Sequence, residues 1–360
     1  MTAFRTEDDL RRSLAAGGLS GPADAIVASA RPVLLFLRRQ TPDDPLPPGA
    51  SKMGGFPDLP KGFDWPERPP YPDAERKAAA VLAFARTTEA EWRARAERPL
   101  KPHERRIPTE EIDRLVPTAI ERGLTFGSYF PLAFMAQLDL AALSREPGFD
   151  PDLPRSGLLS VFEDATAEGL PGGPVAFWSD GPASALRRAP PSSSLTGFFD
   201  RCSNHGFGAS EPWSRLTMAE RLEPHSALAV PHHWKYAFPP ESSGWRAIWD
   251  WFQSAENGVF TPQGDDGPPP SGHFGDRLGG WPDDIQGNPE VTLDGQQGRP
   301  TVTPGRTPWR HLFSYGGEFY AGTRLMGSDG KGDGTTYLMI DRQDLAARRF
   351  DRTRWVYDQT

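Results

Sequence analysis

The sequence predicts an α+β protein, mainly antiparallel β-sheet, made of two related halves with a helical insertion in the first. Three observations predict it. The phrase "SKMGGFPDLP" at 51–60 returns as "DRLGGWPDDI" at 276–285, with the same order of basic, apolar, Gly, Gly, aromatic, Pro and Asp residues. One Gly-Gly-x-Pro in a chain this rich in both residues is unremarkable, but a second copy with the same basic residue before it and Asp after it indicates a duplication. After each copy comes an apolar strand, a turn glycine (Gly157, Gly334) and a second apolar strand ending in Asp (Asp164, Asp341), with Phe134 and Leu312 at matching places in the first strands. Between phrase and strand in the first half lies a charged stretch of helical period, about 67–130. Residues 51–164 without that insertion and 276–341 should therefore superpose by a near-twofold rotation.

The elements follow in order. Residues 6–16 and 22–30 read as short helices, the second with Pro22 near its first turn, where a missing N–H costs little. "PVLLFLRR" at 32–39 has strand length, and the prolines of "TPDDPLPPGA" after it exclude both helix and strand. Residues 74–123 read as helices, with Thr109 as an N-cap and Gly123 as a stop. Strands are expected at 131–140, 157–164 and 174–180. A loop-rich, Trp- and Pro-rich stretch fills about 181–275, with a short strand inside 225–234. Within that stretch, "SGWRAIWDWFQSAENG" at 243–258 places Trp245, Ile248, Trp249 and Phe252 on one helical face, with Trp251 off it. Strands at 309–320, 335–345 with a short helix behind it, and 353–358 complete the second half. The whole, 1–360, is read as one domain.

Composition narrows the function. A hydrophobic share of 37% with 21 Phe and 11 Trp is enough to bury a substantial core. The 37 Gly and 39 Pro are spread along the chain, which predicts rigid turns rather than one disordered tail. A net charge of −8 argues against a nucleic-acid partner, because phosphate neutralisation supplies much of such a protein's affinity. The one basic run, 93–106, reads as a solvated helix face and its exit loop. A single cysteine, Cys202, excludes an internal disulfide framework and a multi-cysteine zinc site. The N-terminal residues carry charge where a signal peptide needs an apolar core, and no apolar run approaches the ~20 residues that span a bilayer. A cytoplasmic protein without a membrane partner is expected.

Sites of chemistry are few. There is no phosphate loop, dinucleotide fingerprint or nucleophile elbow. Cys202 and His205 stand three apart, but catalytic pairs meet across a fold more often than within a loop, so a structural cysteine is expected. His232 and His233 are adjacent, and on a strand would point to opposite faces. Adding His225, His205 or His273 makes no recognised metal spacing. "GSDGKGDG" at 327–334 lacks an acid at the third and a Glu at the twelfth place of a calcium loop, and reads as a glycine hairpin. The aromatic stripe of 243–258 could seat a partner or, more simply, form core. No cofactor, no metal site and no catalytic set is expected.

The repeated corner is therefore the candidate. Gly-Gly-x-Pro permits positive φ at the glycines and fixes φ at Pro57 or Pro282, which makes a stiff corner beside a sheet. Lys52 and Arg277 would stand next to bare backbone N–H groups, in one shared cleft or at opposite ends, and such a nest can bind an anion. In the alternative, the glycines serve conformation alone and the basic side chains face water, tolerating alanine. The candidate ligand- or partner-binding residues are Lys52, Gly54, Gly55, Pro57 and Gln137 in the first half. In the second they are Arg277, Gly279, Gly280, Trp281, Pro282 and Gln286.

Five blocks together resemble the YwqG-like family: "SKMGGFPDLPKGFDWP" at 51–66, "LAFMAQLDLAAL" at 132–143, "SGLLSVFED" at 156–164, "LGGWPDDIQGNPE" at 278–290 and "GDGTTYLMIDRQDLAARRFD" at 332–351. The resemblance implies a soluble bacterial α+β domain of unassigned activity, in a family proposed to include immunity proteins that neutralise a partner toxin. The insertions at 67–130 and 181–275 depart from the family pattern, so a partner surface on them would be particular to this subgroup. An interaction protein without catalysis is thus expected. The competing class is a small-ligand-binding or hydrolytic enzyme using Asp and His residues of the long loops, which a deeply buried, perturbed Asp or His would favour.

Overall fold

The computed structural model describes residues 2–43, 45–99, 106–166, 173–203, 218–239, 242–258, 276–284, 287–298, 307–316 and 334–359. In chain order its strands are β1 (Thr2–Phe4), β2 (Arg31–Pro42), β3 (Lys52–Gly54), β4 (Asp58–Pro60), β5 (Glu67–Arg68), β6 (Phe130–Pro131), β7 (Ala133–Asp139) and β8 (Leu158–Glu163). They continue with β9 (Val175–Ser179), β10 (Leu186–Arg188), β11 (Met218–Val230), β12 (Arg277–Gly279), β13 (Trp309–Gly316), β14 (Gly334–Asp341) and β15 (Arg354–Gln359). The main sheet runs β15-β14-β13-β12-β2-β11-β3-β7-β8-β9, with β1 on β11, and its neighbouring strands pair antiparallel. The pairs β4/β10 and β5/β6 stand apart from it.

The order reads alike from both ends, which is the duplication in three dimensions. β2 and β11 pair at the centre, and each lies against the other half's phrase strand: Arg277↔Leu35 on one side, Lys52↔Arg221 on the other. The pairs Leu35↔His225 and Arg39↔Arg221 exchange under a twofold axis through the pair Leu37↔Glu223. Both first apolar strands carry a bulge, between Phe134 and Ala136 and between His311 and Phe313. Phe134 therefore corresponds to His311, one residue from the Leu312 that the sequence aligned. Asp164 and Asp341 end the second strands alike, each accepting the N–H two residues on, from Thr166 and Gln343, at 2.8 Å.

Apolar side chains of both halves share one interior, including Leu34, Met53, Leu138, Leu278, Phe313 and Leu338. Bulges bend strands, and here the sheet curls until its ends approach. Ala176 N–H donates to Thr353 Oγ1 at 3.3 Å, and Trp178 meets Phe350 with ring centroids 6.0 Å apart. The sheet is thus a nearly closed barrel.

The carboxyl of Glu163 reaches Tyr315, which lines this interior. Glu163 accepts from Tyr315 Oη at 3.1 Å, and burial pushes it up to about 7 against that hydrogen bond. An acid whose folded pKa is raised contributes its full stability below the unfolded value, and loses it as pH rises through the folded one. Glu163→Gln is therefore expected to raise the melting temperature at pH 8 and leave it unchanged near pH 4.5. An equal loss at both pH values in thermal melts would refute this account.

The helices clothe the outside. Glu7–Ala16, Ala23–Ser29 and Ser243–Gly258 form an outer cluster with Leu10, Leu14, Ile26, Ile248 and Phe252. The aromatic stripe is thus core, and Trp251 belongs to it: its ring stacks on Phe4 at 5.9 Å. Ala74–Ala96 and Leu115–Thr125 pack together through Ala85, Leu115 and Ala119. Thr109 begins a short helix without capping it, and Gly123 lies inside its helix against Ala78 rather than ending it. Asn288 caps a helix that periodicity did not suggest, Pro289–Gln296, by accepting from Glu290 N–H at 3.0 Å and Val291 N–H at 3.2 Å. The strand expected inside 225–234 starts at Met218, ends at Val230 and lies at the sheet's centre. Its Pro224 and charged residues hide it from pattern reading, and its partners lie far away in sequence. No helix among the described residues is long and apolar enough to cross a membrane.

Candidate functional site

The two corners share a backbone and differ in chemistry. Gly54, Gly55, Gly279 and Gly280 have φ of 66°, 67°, 75° and 72°, so the glycines serve the left-handed turn that the sequence required. Strand spacing and rise put the two basic residues about 20 Å apart on the sheet, across β2 and β11, so they do not share one cleft.

At the first corner Lys52 is fully buried, contrary to a water-facing side chain. Its Nζ lies 2.6 Å from Asp43 Oδ1, donates to Phe56 O at 2.6 Å and stands 3.8 Å from Asp58 Oδ2. Asp43 Oδ2 accepts Phe56 N–H at 2.8 Å. Gln137, opposite Lys52 in the register, accepts Asp58 N–H at 2.9 Å and donates to Asp58 Oδ2 at 2.7 Å and Ala50 O at 2.8 Å. Arg188 Nε reaches Asp58 Oδ1 at 3.1 Å. Pro57 O accepts Ala189 N–H at 2.9 Å. Burial lowers the lysine's pKa, opposed by the Asp43 hydrogen bond. Two cations face two carboxylates, and the network is closed.

At the second corner Arg277 on β12 is also fully buried. Its Nη2 stands 3.1 Å from Asp283 Oδ2, and none of its three nitrogens makes a well-formed hydrogen bond. Asp283 is the counterpart of Asp58. Burial works to raise its pKa, but Arg277 holds it below the usual carboxylate range. His311 on β13 lies 2.6 Å from Gly279 O through Nδ1, which therefore carries the proton and leaves Nε2 an acceptor, buried and without a hydrogen bond. Burial pushes His311 down to about 3, helped by Arg277, so its ring is neutral. Tyr337 on β14 is fully buried, its ring 5.8 Å from the Arg277 guanidinium carbon and 5.9 Å from the His311 ring. Burial raises its phenol, and Thr335 beside the hydroxyl forms no well-formed hydrogen bond with it.

The surroundings extend this polar patch. His232 and His233 lie on a 3-10 turn, His232–Tyr236, and not on a strand, yet still diverge. His232 Nδ1 accepts Asp284 N–H at 3.2 Å, and burial pushes its pKa down to about 3. His233 meets Trp281 edge to face at 5.6 Å. Asp284 is pushed up to about 7 by burial, with Asn288 Nδ2 donating to it at 2.8 Å. Trp281 donates to Ser29 O at 3.0 Å, and the Arg31 guanidinium lies 3.2 Å over its ring. Pro282 is buried beside it.

These phrases and the strands between them fall inside one family match. The sequence matches a domain of unknown function, DUF1963, over residues 51–358. The chain belongs to the DUF1963 family. No curated protein matches it.

Within this DUF1963 domain the remaining candidates settle by position. Cys202 is buried beside Leu195 and Phe198, and burial pushes its thiol up to about 12, far from a reactive thiolate. His205, His273, Gln286 and nearly all of 327–334 lie outside the described residues. Among the described residues no three His, Cys, Asp or Glu side chains form a metal-binding group. Sequence reasoning missed Asp43, Asp58, Arg188, Asp283, His311 and Tyr337. The Asp closing each phrase was a usable signal for Asp58 and Asp283. For His311 and Tyr337 the signal exists only in the register of β12, β13 and β14.

Proposed function

We propose that the chain is a ligand-binding protein whose site is the second corner, and that its ligand is a small anion rich in hydrogen-bond acceptors. One observation carries this: Arg277 is wholly buried and makes no well-formed hydrogen bond. A buried guanidinium left so incurs a desolvation cost that one carboxylate at 3.1 Å does not offset, and its planar fork suits a bidentate oxyanion. The buried, shifted His311 and Asp284 are the feature that would favour an enzyme, but His311 has no nucleophile hydrogen-bonded to it among the described residues, so binding is favoured over hydrolysis. In wild-type thermal melts at fixed ionic strength, acetate, formate or inorganic phosphate should raise the melting temperature saturably. Arg277→Lys, which keeps charge but loses the fork, should weaken that response at least about tenfold. No response to any of the three anions overturns the reading.

A second reading, a protein partner held by the helical insertion in the cytoplasm, draws on Phe84 and Leu124, which are 55% and 71% exposed on the packed helices. It would fit the immunity role implied by the YwqG-like resemblance. Its test is a stoichiometric complex with a toxin, lost on Phe84→Asp with Leu124→Asp.

A further inference from the structure

We infer that the ligand of the second corner is a small carboxylate, whose carboxylate group takes against Arg277 the place that Asp43 takes against Lys52. The inference rests on the ligand-binding reading above and draws the ligand's class from the duplication. The twofold relation makes the first corner a worked example of how this backbone satisfies a buried cation. There the cation meets two carboxylates, Asp58 from the phrase and Asp43 from the segment leaving β2. The second corner keeps the phrase carboxylate, Asp283, so the phrase does not account for the difference. Under the twofold Asp43 falls on Ala229 of β11, which lies beside Gly280 as Asp43 lies beside Gly55, so an alanine stands where the first corner has its second carboxylate.

Asp43 does two things at once. One oxygen takes the ammonium of Lys52 and the other takes the N–H of Phe56. Trp281 stands in the place of Phe56, and among the described residues no carboxylate accepts its N–H. Arg277 stands in the place of Lys52, with Nε and Nη1 making no hydrogen bond. One carboxylate answers both needs, as Asp43 does.

Charge argues for a carboxylate over a phosphate. Asp283 already faces Arg277 and Asp284 lies next to it, so every negative charge on a ligand joins a site that already holds acidic groups. A carboxylate adds one such charge, whereas phosphate near neutral pH carries up to two. Arg31, stacked on Trp281 with Nη1 making no hydrogen bond, offers a second cation on the same side, as Arg188 does at the first corner.

The test uses the full chain with acetate, formate, inorganic phosphate and chloride at constant ionic strength. Acetate and formate are expected to raise the melting temperature saturably, phosphate and chloride to act no more than ionic strength does, and Arg277→Lys to weaken acetate at least tenfold. A saturable, Arg277-dependent response to phosphate with none to the carboxylates overturns the carboxylate assignment and leaves the binding site standing. Silence from all four anions, or an acetate response unchanged by Arg277→Lys, overturns both. Should Arg277→Lys fail to fold, the Arg277 Nε–H resonance of the wild-type chain replaces it. A saturable shift of that resonance with acetate supports the assignment, and its absence refutes it.

Discussion

Asp43→Ala is expected to destabilise the protein by about 3–5 kcal/mol, because it leaves Lys52 as an uncompensated charge in the interior. The lysine is wholly buried, its closest acceptors are Asp43 and Phe56 O, and Asp58 lies 3.8 Å away. Asp58 is itself shared among Gln137, Arg188 and the Gly49 N–H, and is poorly placed to take up a second ion pair. The loss should depend on the lysine: combining Asp43→Ala with Lys52→Met removes both charges, and the double variant should lose much less stability than the sum of the single losses. Formate or acetate should restore part of the stability of Asp43→Ala and none of the double variant. Additive losses in urea unfolding would mean that the pair contributes nothing beyond its separate packing. The same burial reverses the expectation from sequence that Lys52→Ala changes little.

How far the sequence could foresee this depends on where each interaction comes from. Features carried inside one segment were legible: the glycine corners, the helix at 243–258, and the apolar strands at 31–42, 133–139 and 334–341. Features made by pairing distant segments were not. β11 looked like loop because Pro224 and its charged residues break any alternation, yet it is central because β2 and β3 hold both its edges. Asp43 sits in a proline-rich run that reads as a turn, and nothing local shows that a buried lysine waits nine residues on. His311 comes to the outer face beside Arg277 only through the bulge in β13, which shifts the register by one residue. The duplication was visible, but the difference between its halves, the carboxylate of Asp43 in one and the methyl of Ala229 in the other, became visible only when the two corners were compared in space.

Gly280→Ala should cost about 2–5 kcal/mol, from two independent sources. At φ 72° a β-carbon strains the backbone by about 1–2 kcal/mol. The added atom would also stand 2.9 Å from Val33 Cβ, 3.0 Å from Val33 Cγ2 and 3.2 Å from Ala229 Cβ, against β2 and β11 at the centre of the sheet. Neither neighbour has a flexible end to swing away, so overpacking adds about 1–3 kcal/mol. Gly55→Ala should be comparably costly for a different reason: its β-carbon would lie 2.5 Å from Asp43 Cγ and push that carboxylate off Lys52. Gly62 provides the control, since it has φ 84° but nothing within 4 Å of an added β-carbon. Gly62→Ala should therefore show the backbone cost alone. Urea unfolding of the three variants separates the two sources. If Gly280→Ala and Gly55→Ala lose no more than Gly62→Ala, the corners need glycine only for its φ, and the close approach of Val33 and Asp43 is of no consequence to stability.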